Sequence, residues 1–259
     1  MIGIQPIGSY FDIDDEGYVI NPASVDKIQS EWKPLVDAIV LAYKDHYGNK
    51  LSCVYLRGSV ARGNAIPGIS DIDAFAYVDM PKDAISDDWT DKVVKMLKKK
   101  YPFTEGVEMD VVTRHGAEKR VLILNQSVCV YGVSVEVPRV KPGREMMIHL
   151  PKAEQTMDAF LDFLRKEKSV NRIKSKCVWV MKNIVRSGFE LTMSRSHRYT
   201  RDLYKCYETF VEYYPEHAHT MRKVLEYALN PTDDRHELER IVRVIMPFLV
   251  EESVNFIAL

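Results

Sequence analysis

The sequence predicts an α+β chain, with a mixed-sheet domain over residues 1–145 followed by an all-α helical bundle over 146–259. Three observations carry this. Short β-branched and aromatic runs alternate with helical stripes as far as about residue 137. Pro138, Pro142-Gly143 and Pro151 then fall within fourteen residues and mark a boundary. Beyond them apolar residues keep a helical period almost to the end of the chain.

Taken in order, residues 1 to 22 place aromatic and β-branched residues around Asp14-Asp15-Glu16-Gly17, which reads as two short strands and a turn. From Val25 to Tyr47 the stripe Ile28, Trp32, Val36, Ile39 and Tyr43 is helical, with Pro34 as a break or kink and Gly48-Asn49 as the stop. Strand character follows at Cys53–Leu56, Ile72–Val78 and Val107–Thr113, with a lysine-rich helix near Asp91–Tyr101 between the last two. A helix near Ala117–Leu124 and a strand over Val128–Val137 complete the first domain. Helices are expected at about 153–167, 169–188, 200–213, 216–229 and 234–256, which together read as a bundle.

With 46% hydrophobic and 28% charged residues and a formal net charge of −1, the composition excludes disordered and fibrous classes and names no partner. No apolar stretch approaches the ~20 residues of a membrane helix, and the N-terminus has no basic segment followed by an apolar one, so no membrane association is expected. Cys53, Cys129, Cys177 and Cys206 are scattered without a CxxC pair, which fits a reduced, cytoplasmic setting. No oligomeric state can be read from the chain.

The chemistry sits between Tyr55 and Asp73. An apolar strand runs into Gly58, whose missing side chain permits a sharp turn and a close approach of ligand to backbone. Ser59 can open a helix, where unpaired N–H groups, the dipole and the hydroxyl suit phosphate oxygens. Asp71 and Asp73 lie two apart on a strand, so their side chains share a face with α-carbons ~6.6 Å apart at ~3.3 Å per residue. Such a pair suits divalent magnesium, two ions of which can clamp an in-line displacement at phosphorus. A third carboxylate is sought on the run Val107-Glu108-Met109-Asp110-Val111, with Asp110 the first choice and Glu108, on the same face, in reserve.

A Gly-Ser or a D-x-D alone is weak, and the chain carries a decoy in Gly8-Ser9-Tyr10-Phe11-Asp12-Ile13-Asp14. Only two residues separate its serine from its first aspartate, too few for a helical turn and a return to a neighbouring strand. Between Ser59 and Asp71 there are eleven, room for about two helical turns and a loop. That spacing, with the later carboxylate, carries the functional reading.

These residues, Gly58-Ser59-Val60-Ala61-Arg62-Gly63 through Ser70-Asp71-Ile72-Asp73, resemble the signature of the DNA polymerase β-like nucleotidyltransferases. The resemblance covers roughly residues 50–115. The plan of such a domain followed by a helical bundle is similar to the aminoglycoside adenylyltransferases and kanamycin nucleotidyltransferase. It implies Asp71, Asp73 and Asp110 as magnesium ligands and catalytic groups, with Asp110 alternatively the base. It also implies Ser59 on the nucleotide phosphates within a binding segment that includes Gly58, Arg62 and Ser70. Some relatives carry glutamate in the third position, which leaves the base open between Asp110 and Glu108.

The bundle contributes charge. Between Arg165 and Lys205 twelve Lys and Arg stand against three acids, so this stretch is +9 while the remainder sums to −10. Lys182, Arg198 and Arg201 are therefore candidates to balance a triphosphate. The aromatic stripe Tyr204, Tyr207, Phe210, Tyr213 and Tyr214 reads as core, and His217 and His219 as surface residues. The expected activity is magnesium-dependent transfer of a nucleoside monophosphate, AMP from ATP or from another triphosphate its equivalent, onto a hydroxyl-bearing small molecule with release of pyrophosphate. The basic stretch keeps an RNA or protein acceptor in view. A non-catalytic nucleotide-binding regulator is a third reading, against which the three carboxylates argue.

Overall fold

Three adjacent strands, β1 (Leu51–Arg57), β2 (Ile72–Val78) and β3 (Val107–Thr113), with β4 (Ser127–Gly132) on the far edge, form one sheet of order β3-β2-β1-β4. The computed structural model describes residues 3–86, 88–115 and 120–258. β1 runs antiparallel to β2 and to β4, whereas β2 and β3 are parallel. A parallel pair needs a long crossover, and α3 (Thr90–Lys100) supplies it. The central strands β1 and β2 are buried on both faces, so they read as continuous apolar runs, while β3 at the edge alternates buried and exposed from Val107 to Asp110.

One face of the sheet packs against α1 (Lys33–Tyr47) and α3, burying Trp32, Leu35, Ile39 and Tyr43 on Val54, Leu56, Ala74 and Ala76. The helical stripe from Val25 is divided: Val25–Lys27 is a 3-10 turn under a Ser24 cap, and α1 begins at Lys33. Pro34 sets that start, because its fixed φ and missing N–H suit a first turn and not a helix interior. The other face gathers Cys53, Tyr55, Phe75, Tyr77 and Leu124.

The strand expected over Val128–Val137 ends at Gly132. There φ is 81°, and a Cβ would stand 2.1 Å from Ser52 O, so only glycine can take the turn. The chain beyond it leaves the ladder, and the Val135 N–H donates to the Tyr55 hydroxyl at 2.6 Å. Of the helix expected near Ala117–Leu124, α4 (Val121–Leu124) is formed, and residues 116–119 lie outside the described residues.

Two compact units divide the chain, Ile20–Val140 and, apart from it in sequence, Met1–Val19 with Lys141–Leu259. The sequence expectation put the first nineteen residues with the sheet. Among the described residues of this segment no strand joins the sheet, and Ile13 and Val19 make an isolated bridge. They bind the helices: Ser9 N–H donates to Asp202 Oδ2 at 2.9 Å, Phe11 N–H to Tyr199 O at 2.8 Å, and Tyr10 and Thr209 hydroxyls lie 2.8 Å apart.

The helices of this unit are α5 (Ala153–Lys166), α6 (Val170–Glu190), α7 (Met193–Ser196), α8 (Leu203–Tyr213), α9 (Ala218–Leu229) and α10 (Arg235–Ala258). α6 is central, packing on α5, α8, α9 and α10 through Ile173, Cys177, Val180 and Ile184. Glu190 at its end is buried, and its carboxylate accepts the N–H groups of Ile148, His149 and Leu150, which anchors the entry into α5. Among the described residues no helix is long and apolar enough to cross a membrane.

Candidate active site

β1 ends at Arg57, and Gly58 takes φ 78° to start α2 (Gly58–Arg62). A Cβ at Gly58 would lie 2.6 Å from Asp73 Oδ2. The glycine therefore permits the left-handed turn and also leaves room for the carboxylate. Ser59, half-buried, stands in the first turn of the short helix.

The sheet register aligns the rest. Arg57 on β1 faces Asp73 on β2, and Asp73 faces Glu108 on β3, so the three form one row at one end of the sheet. Asp71 comes just before β2, exposed. Oxygen atoms of Asp71, Asp73 and Glu108 all lie within 4.8 Å of one another. Arg57 Nη2 is 3.7 Å from Asp73 Oδ1 and 3.4 Å from Glu108 Oε2.

Asp73 is the partly buried member. Tyr55 and Phe75, stacked with ring centroids 5.3 Å apart, follow Arg57 and Asp73 on the same face and make the neighbourhood apolar. Burial pushes the Asp73 carboxyl up to about 7, helped by a hydrogen bond shared with Glu108 and by the charges of Asp71 and Glu108, against the lowering pull of Arg57. A carboxylate crowded by two others and held high is one that a cation would relieve.

The donor set fits a hard divalent ion. Octahedral magnesium at ~2.1 Å needs oxygens ~3–4.2 Å apart, a spacing close to the 4.8 Å within which oxygens of the three carboxylates lie. All donors are oxygens, with no thiolate or imidazole among them, as magnesium prefers.

Asp110 takes a different place from the one the sequence suggested. In the parallel register of β2 and β3 it is opposite Phe75, one pleat beyond Glu108, and it is not a member of the carboxylate cluster found among the described residues. Its main-chain carbonyl accepts the Tyr43 hydroxyl at 2.9 Å. The reserve choice, Glu108, is the carboxylate that the register brings to the aspartates.

The remaining candidates separate. The Ser70 hydroxyl accepts the Ile66 N–H at 2.9 Å and so braces the loop before Asp71. Arg62 has a buried Nε without a hydrogen-bond partner. In the helical unit Lys182 is half-buried on α6, Arg198 pairs with Glu212 at 3.0 Å, and Arg201 lines a small pocket with His149, Arg186 and Glu190. Burial foremost, with Arg201, Arg186 and Lys152, lowers the His149 pKa to about 3. Arg57 was missed by the sequence reading, because nothing local to it shows which strand residues it will face. A cavity of about 690 Å³ between α1 and α3 lies on the opposite face of the sheet, and none of the clustered acids lines it.

Residues 37–129 match the family model described as a nucleotidyltransferase domain. The match runs from α1 to β4 and so takes in the Gly58-Ser59 turn and all three clustered acids. No curated protein matches the chain. Among solved structures, a spectinomycin adenyltransferase from Enterococcus faecialis, with ATP and spectinomycin, is 13% identical with a TM-score of 0.44, covering 85% of this chain and 98% of that one. At that score the likeness carries no property over to this chain. The domain match over the turn and the acids makes this chain a nucleotide-transferring enzyme, with a polymerase β-like nucleotidyltransferase domain at residues 37–129.

Proposed function

We propose that the enzyme transfers a nucleoside monophosphate, AMP from ATP, to a hydroxyl of a small molecule and releases pyrophosphate. The observation that carries this is the cluster of Asp71, Asp73 and Glu108 beside the Gly58-Ser59 turn. Asp71, Asp73 and Glu108 would hold magnesium, which when bound supplies Lewis-acid stabilisation of charge on the transferred phosphoryl group. Ser59 and the first N–H groups of α2 would receive phosphate oxygens, which the turn at Gly58 into that helix supports. Asp110 is exposed, ~6.6 Å further along the face that carries Glu108, and is left as the group to accept the proton of the attacking hydroxyl. The excess of Lys and Arg between Arg165 and Lys205 supports Lys182, Arg198 and Arg201 as further phosphate ligands. All four cysteines are free, which supports a reducing, cytoplasmic setting.

The same basic stretch favours a second acceptor class, RNA, whose phosphate backbone a cationic surface attracts. One experiment decides both questions. The protein is incubated with magnesium and α-labelled ATP, GTP, CTP or UTP, together with a panel of aminocyclitols and aminoglycosides or with total tRNA. Pyrophosphate release and label on a small molecule, abolished by Asp73→Asn, support the reading. Label on tRNA alone would move the acceptor to RNA, and no release with any acceptor from folded protein would sink the proposal.

A further inference from the structure

Among the described residues, Arg57 is a partner of the acid cluster to which metal binding gives no task. Its Nη2 lies between two carboxylates, 3.7 Å from Asp73 Oδ1 and 3.4 Å from Glu108 Oε2. A single positive charge thus reaches both groups that a divalent ion would bridge. The distances exceed the ~2.7–2.9 Å of a tight charged hydrogen bond, and the side chain is 39% exposed. The guanidinium is therefore held by charge and one long hydrogen bond to Glu108, at a partly exposed place where solvent can take over its contacts. The other oxygen of Asp73, Oδ2, is against Gly58, where even a methyl group would come within 2.6 Å. Asp73 is thereby backed by the main chain at Gly58 while its Oδ1 faces the arginine.

An arginine between two carboxylates lowers their pull on any other cation, since like charges repel and the guanidinium must yield before an ion can touch both acids. Once displaced, it is a fork-shaped cation at the mouth of the site, matched to phosphate oxygens. A triphosphate would give it that partner and would also bring negative charge for the ion.

We propose that Arg57 is a positioning residue that takes the cation's place between Asp73 and Glu108 in the empty enzyme, so that the site loads its divalent ion together with the triphosphate and not ahead of it. This rests on Asp71, Asp73 and Glu108 being the ligands.

The test is a manganese titration of the full-length protein without nucleotide, read by loss of the free-ion paramagnetic resonance signal, on wild type, Arg57→Gln, Arg57→Met, Arg57→Lys and Asp73→Asn. Removal of the charge tightens binding by about tenfold, the low end of what one neighbouring charge does to a carboxylate. Arg57→Lys restores affinity close to wild type, which a merely structural arginine would not do. In the presence of a non-hydrolysable ATP analogue the gap between wild type and Arg57→Gln narrows. Circular dichroism and melting in EDTA show which variants are folded, and either neutral variant suffices. Unchanged or weaker manganese binding in a folded neutral variant overturns the proposal. Asp73→Asn that binds manganese as well as wild type overturns the ligand reading beneath it instead.

Discussion

Glu108 and Asp110 point from the same face of β3, and two residues of strand decide between two chemical roles. Glu108→Gln should lose both manganese binding and transfer, the latter on the order of 10²–10³-fold as for loss of one electrostatic contact in an active site. Asp110→Asn should lose transfer on the order of 10²–10⁴-fold with manganese binding intact. Abolished metal binding in Asp110→Asn, with Glu108→Gln near normal, would reverse the assignment. A second consequence concerns pH. The Asp73 carboxyl is raised, chiefly by burial, to about 7 in the folded protein from the ordinary 3.8. Its neutral form therefore favours the fold fully below about pH 4, and that contribution is lost as pH rises through 7. A divalent ion competes with this proton, so the rise in melting temperature given by magnesium should grow between pH 6 and pH 8, and Asp73→Asn should flatten it. The two aspartates were legible because their spacing is local. The choice on β3 was not, because alternation puts 108 and 110 on one face and only pairing with β2 separates them.

At the scale of the element, the strand–turn–helix of β1 and α2 is governed by Gly58. Gly58→Ala must place a side chain at φ 78° and within 2.6 Å of Asp73 Oδ2. The backbone cost alone is about 1 kcal/mol, a modest drop in melting temperature. The displaced carboxylate should cost far more in function, at least about tenfold in manganese affinity. Full activity in Gly58→Ala would show that the close approach has no part in the chemistry. The first three strands, the α3 crossover and the helices of the bundle could be read from periodicity. Two ends could not. Pro34 moved the start of α1 to Lys33, since a stripe of apolar residues does not reveal that a 3-10 turn precedes the helix. Gly132 cut β4 short, because the collision with Ser52 O that demands glycine exists only once β1 lies alongside.

Across the whole molecule, the first segment of chain is the unexpected part. Tyr10, Phe11 and Ser9 are held by Thr209, Tyr199, Thr200 and Asp202, so the Gly8-Ser9 decoy belongs to a segment docked on the helices of its own unit. Tyr10→Ala should lower the stability of that unit by about 2–4 kcal/mol, from lost aromatic burial and a broken hydrogen bond, with nucleotide-independent manganese binding unchanged. An unaltered melting temperature would contradict this. What the chain determined by itself was the order strand, Gly-Ser turn, strand with Asp71 and Asp73, crossover helix, and then a bundle, because hydrophobic period and turn residues act over a few neighbours. What only the tertiary structure decided was which charges meet. Arg57, Asp73 and Glu108 form a row because three strands, distant in sequence, pair in one register, and no local pattern encodes a contact made across strands.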